Sequence, residues 1–110
     1  MTVESKAFVN EAAFRADITQ EQYKNKLIVI DFTATWCPPC QYIKPIFHSY
    51  ADQYPEVVFF QIDVDESDEL SEVLGVSAMP TFQFWRNGEK LEAITGADRD
   101  KLLKTIIALK

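Results

Sequence analysis

The stretch LIVIDFTATWCPPCQYIKPIFHSY, Leu27 to Tyr50, decides how this chain is read. Its first half, Leu27 to Phe32, is continuous, branched and apolar apart from Asp31, as a strand covered on both faces should be. Its second half places Ile43, Ile46, Phe47 and Tyr50 at helical spacing, continuing to Tyr54. Pro45 falls inside that pattern and predicts a kink. Between the two halves lies Trp36-Cys37-Pro38-Pro39-Cys40, holding the only two cysteines of the chain. A thiol pair therefore stands where a buried strand turns into a helix.

Working outward, Ala7 to Val9 reads as a short edge strand. Asn10 can cap a helix over Glu11 to Ile18, with Ala13, Phe14 and Ile18 inward. Val57 to Val64 reads as a second buried strand, and Asp68 to Leu74 as a short helix closed by Gly75. Thr81 to Arg86 and Glu89 to Thr95 flank Asn87-Gly88, a strong hairpin signal because both positions accept positive φ. Asp98 can cap a last helix with Leu102, Leu103, Ile106 and Ile107 inward. The first three strands alternate with helices, which favours parallel crossovers, and the last two form a hairpin. The expected class is α/β: one mixed five-stranded sheet with helices on both faces.

The 110 residues suffice for one compact domain, 1–110, and 47% hydrophobic content supplies its core. The net charge of −6 argues against non-specific nucleic-acid binding, which needs a basic footprint. No segment approaches the roughly 20 apolar residues of a membrane span. Met1 to Asn10 carries Glu4 and no long apolar run, so no signal peptide is expected and the default compartment is a reducing cytosol.

If Cys37 sits at the helix N-terminus, free backbone N–H groups and the helix dipole favour its thiolate. The thiolate is the attacking form in disulfide exchange. Cys40, one turn further in, can attack the mixed disulfide that Cys37 forms. Two plainer readings compete. A structural disulfide here would close a four-residue loop worth about 2 kcal/mol, a poor staple for a domain this size. A zinc site needs about four ligands, and there is neither a second Cys-x-x-Cys nor more than one histidine. That histidine, His48, lies eight residues past Cys40, beyond about 10 Å along a helix, and reads as an ordinary side chain. The acidic run Asp63, Asp65, Glu66, Asp68, Glu69 lacks the Gly and Glu spacing of a calcium loop and reads as a solvated strand end. Asp31 within its apolar run is expected to be buried, with a raised pKa suited to proton exchange near neutrality. The competing reading is an edge carboxylate turned to solvent.

Trp36-Cys37 with Pro39-Cys40 after Val29-Ile30-Asp31-Phe32-Thr33-Ala34-Thr35, then Ile43-Lys44-Pro45, then Met79-Pro80-Thr81, resembles the thioredoxin family. The resemblance runs from about Phe8 to Lys110 and implies the thioredoxin fold. It implies Cys37 as nucleophile, Cys40 as resolving thiol and Asp31 as the buried proton acceptor assisting Cys40. It also implies Trp36 as a cover over the site and Pro80 as a cis-proline facing the cysteines. The backbone of Met79 would pair with the extended substrate, and Ala78, Gly96 and Ala97 would complete a flat apolar docking surface with Trp36 and Pro39.

The sequence departs from the family at two places. Pro38 replaces the usual glycine, removing one N–H near the Cys37 sulfur and stiffening the first turn. Gln61 stands where many members carry lysine, so Asp31 is expected to be harder to ionise.

The resemblance implies a cytosolic, monomeric protein-disulfide reductase active in electron transport and redox homeostasis. It would hold no bound cofactor. Its electrons would come from NADPH through a flavoprotein partner, thioredoxin reductase, and pass to disulfide-containing proteins. The rivals are a tryparedoxin-like or other disulfide oxidoreductase on the same fold, and a non-redox binding module using the apolar patch.

Overall fold

A computed structural model describes residues 3–110. The chain runs β1 (Val3–Lys6), α1 (Glu11–Ile18), a 3-10 turn (Glu21–Tyr23), β2 (Ile28–Thr33), α2 (Pro38–Gln53) and β3 (Val58–Asp63). It continues with α3 (Asp68–Val73), β4 (Thr81–Arg86), β5 (Glu89–Thr95) and α4 (Arg99–Leu109). The sheet order is β1-β3-β2-β4-β5. β3 is parallel to both β1 and β2, whereas β4 is antiparallel to β2 and β5. The mixed five-stranded sheet is as expected.

Strand alternation splits the core into two layers. Ile28, Ile30 and Phe32 of β2 join Phe60, Ile62 and Trp85 under α1 and α3 with Phe14, Ile18 and Leu70. Val29 joins Phe59, Phe82 and Phe84 under α2 and α4 with Ile43, Phe47, Leu102 and Ile106. Asp31, in step with Val29, therefore belongs to the face on which the thiol-bearing helix packs.

Local signals explain the element ends. Asn10 accepts a hydrogen bond from the Ala13 N–H and Asp98 one from the Lys101 N–H, each capping the helix that follows. Asn87 and Gly88 both take positive φ, 51° and 79°, as the two-residue hairpin requires. The Asn87 side chain also accepts from the Asn25 backbone N–H and donates from Nδ2 to Asn25 Oδ1. α2 passes through Pro45 without ending.

Two expectations are corrected. The first strand is Val3–Lys6, not Ala7 to Val9. β1 is an edge strand and needs only Val3 buried, while the Lys6 ammonium sits 4.9 Å from the Phe60 ring centroid. Phe8 instead packs edge-on against Phe14, its N–H donates to Ser67 Oγ, and Val9 is exposed. In α4, Leu102 and Ile106 are buried and Leu103 is half-buried, but Ile107 points to solvent. The helical stripe has turned past the core by that residue.

Candidate active site

The β2–β4 register sets Thr81 beside Phe32, so the residues before β4 lie next to the loop leaving β2. The β4–β5 register sets Thr95 beside Thr81, and the Gly96 N–H donates to the Pro80 carbonyl at 2.9 Å. One end of the sheet thus gathers three loops: residues 34–37, 78–80 and 96–97. The Met79–Pro80 peptide is cis. The Thr81 hydroxyl bonds the Ala78 carbonyl and fixes that loop from within.

Cys37 is the N-cap of α2 and forms a disulfide with Cys40, their Cα atoms 5.3 Å apart. The Cys37 sulfur accepts from the Cys40 N–H at 3.2 Å. Pro38 and Pro39 occupy the first two helical positions and have no N–H to offer. The Gln41 N–H is engaged by the Cys37 carbonyl. Among the first-turn amides, the sulfur therefore has Cys40 as its donor. In the disulfide form Cys40 is fully buried and Cys37 is only 4% exposed.

Ala34 is buried with the two cysteines, and Met79 and Val64 pack against them. Pro80 is buried at the base of β4, whereas Ala78, Gly96, Pro38 and Pro39 are exposed and Ala97 is half-buried against the α2–α4 layer. Trp36 is 61% exposed and donates from Nε1 to Asp65 Oδ2 at 2.9 Å. The sequence reading missed Asp65 and Val64 as parts of the site. Their signal was the end of β3, which runs out beside β2 where the Val64 N–H bonds the Thr33 carbonyl.

Asp31 is completely buried in mid-sheet, with Gln61 opposite it on β3 and Phe82 opposite it on β4. Gln61 Nε2 donates to Asp31 Oδ2 at 3.3 Å, and Oδ1 has no partner. Burial pushes the Asp31 carboxyl up to about 7, against the opposing pull of the Gln61 amide and the Lys44 charge. A positive charge thus acts on this carboxyl although residue 61 is neutral.

His48 lies on α2, half-buried, with Nε2 unpartnered. Among the described residues no group of three or more His, Cys, Asp or Glu side chains could hold a metal ion. No helix of the described chain is long and apolar enough to cross a membrane.

The family model described as Thioredoxin matches residues 5–108. A thioredoxin of Gallus gallus is 45% identical over 104 residues, spanning 94% of this chain and 97% of its own. One from Ophiophagus hannah is 48% identical over 93 residues, spanning 84% and 87%. Among solved structures, Fasciola hepatica thioredoxin is 37% identical with a TM-score of 0.86, each chain covered to 100%. A structure concerning the thiol resolving mechanism of yeast mitochondrial 1-Cys peroxiredoxin via glutathione/thioredoxin systems is 36% identical. It has a TM-score of 0.85 and covers 98% of this chain and 96% of its own.

Proposed function

The chain belongs to the thioredoxin family and is a thiol–disulfide oxidoreductase, and we propose the following division of labour among its residues. In the reduced protein the Cys37 thiolate attacks one sulfur of a substrate disulfide. The substrate S–S bond breaks, its second sulfur leaves and takes up a proton, and a mixed disulfide remains on Cys37. The Cys40 thiol gives its proton to Asp31 and attacks the Cys37 sulfur. The mixed disulfide bond breaks, the substrate sulfur leaves and takes up a proton, and the Cys37–Cys40 disulfide forms. Two electrons have passed to the substrate, and no bound cofactor is needed because both resided on the sulfurs.

Trp36, Pro39, Ala78, Met79, Pro80, Gly96 and Ala97 form the docking face for the extended substrate chain. The backbone of half-buried Met79 is suited to pair with it as an added strand. We place the protein in the cytosol as a monomer within an electron-transport chain. An NADPH-dependent flavoprotein reductase returns it to the dithiol, and thiol-dependent enzymes draw on it. A peroxiredoxin is one such client class, which the yeast peroxiredoxin structure supports. Nothing in the chain favours the tryparedoxin-like or binding-module readings.

The observation that carries the assignment of roles is the asymmetry of the pair, with Cys37 capping α2 and Cys40 fully enclosed. Cys40→Ser should therefore accumulate substrates as mixed disulfides resolvable by non-reducing electrophoresis, and Cys37→Ser should accumulate none. Trapping by Cys37→Ser instead would reverse the two roles.

A further inference from the structure

The hairpin joining β4 to β5 carries a reactive pair of residues at the end of the sheet opposite the cysteines. Phe32 and Thr81 meet at the active-site end of β2 and β4, and Ile28 and Trp85 meet at the other. Asparagine is a thermolabile residue. Of Asn10, Asn25 and Asn87, only Asn87 precedes a glycine. Gly88 has no Cβ, which leaves its backbone nitrogen open to approach. Arg86 pairs with Glu89, so the Gly88 N–H lies outside the ladder. Asn87 is exposed, so water reaches it.

The Asn87 carboxamide is nevertheless held at both of its polar atoms. Oδ1 accepts from the Asn25 backbone N–H at 2.8 Å, and Nδ2 donates to Asn25 Oδ1 at 3.0 Å. Asn25 itself takes a left-handed conformation, with φ 63°. Gly88 is held as well: Arg15 Nη1 donates to its carbonyl at 3.2 Å, and Glu11 pairs with Arg15 at 2.8 Å.

We propose that Asn87 is a latent deamidation site, and that Asn25 protects it by engaging its carboxamide at both polar atoms. In the reaction the Gly88 nitrogen loses its proton to a solvent base and attacks Asn87 Cγ. A C–N bond forms, the Cγ–Nδ2 bond breaks, and Nδ2 leaves as ammonia with a proton from water. Water then opens the cyclic imide to aspartate or isoaspartate, and nothing is oxidised or reduced. Attack requires the carboxamide to turn, which breaks both bonds to Asn25. Neither product has an N–H to donate to Asn25 Oδ1. Isoaspartate also adds a methylene to the backbone of a two-residue turn whose length sets the strand register. The protection is therefore lost once the reaction has occurred.

The test incubates the whole protein at mildly alkaline pH and follows the peptide containing Asn87 by mass spectrometry. Cleavage by an aspartate-specific protease separates aspartate from isoaspartate. Asn25→Gly keeps the left-handed backbone and its N–H and removes Oδ1. It should accelerate deamidation of Asn87 by about threefold or more, the weight of one hydrogen bond. Asn25→Asp keeps the acceptor and should stay at or below the parent rate. Ile106→Val loosens the core under α4 and leaves the clamp intact, so it should keep the parent rate. An unchanged rate in Asn25→Gly would overturn the proposal, as would deamidation at Asn10 or Asn25 ahead of Asn87. Equal acceleration in Ile106→Val and Asn25→Gly would assign the reaction to unfolding and overturn it too.

Discussion

At the scale of single residues, the proposed reaction draws on two buried groups, the Cys37 sulfur and the Asp31 carboxyl. The Cys37 sulfur faces a helix start impoverished in donors by two prolines. Restoring an N–H with Pro38→Gly should lower the pH midpoint of Cys37 alkylation by iodoacetamide; a rise would contradict the proposed effect of Pro38. Asp31 is held near 7 against an ordinary 3.8. Between those pH values the folded protein keeps a proton that the unfolded chain has released. The contribution of Asp31 to stability is therefore greatest below about pH 4, falls by roughly 1.4 kcal/mol per pH unit, and is lost above about pH 7, an upper limit near 4 kcal/mol. Asp31→Asn should abolish that slope, and urea midpoints between pH 4 and about pH 8 would record it. A variant with the parent's pH dependence would refute it. Cys37, Cys40 and Asp31 were legible from the sequence because each is an odd chemistry in a conspicuous place. Asp65 and Val64 were not, because their roles exist only once β3 is laid beside β2.

At the scale of elements, the signals that worked were local ones. Asn10, Asp98 and Asn87-Gly88 each bond within a few residues or need a particular φ, so sequence order alone exposed them. Gly88→Ala forces a side chain into a left-handed conformation and brings its Cβ to 3.1 Å from Thr19 Cγ2. It should destabilise the protein by about 1–2 kcal/mol, readable as a lower urea midpoint at unchanged slope. An unaltered midpoint would mean that the hairpin relaxes into another turn. The first strand was misread because Ala7-Phe8-Val9 is the more apolar run. An edge strand selects for backbone pairing and one buried face, and Val3–Lys6 satisfies both against β3. Ile107 was misjudged for a related reason: a helical stripe specifies a direction, while the length of the surface beneath it is a tertiary fact.

At the scale of the whole molecule, the charge of −6 is unevenly placed. Asp63, Asp65, Glu66 and Asp68 follow one another at the end of β3, where Asp65 holds Trp36. Their summed field should draw cationic substrates toward the disulfide-exchanging end. The rate of reducing a cationic disulfide peptide should fall as ionic strength rises from roughly 10 to 150 mM, and that of an anionic peptide should rise. Salt-independent rates for both would exclude steering. The sheet has two free margins, four-residue β1 and seven-residue β5. Glu4 and Lys6 occupy the first, and Glu89, Lys90 and Glu92 the second, all but half-buried Lys6 turned to water. Charged, short or solvated margins resist edge-to-edge pairing between molecules. Such a sheet is a poor seed for its own extension into fibrils. A chain rich in branched and aromatic strands can thereby resist pairing with its own copies without covering the proposed docking face.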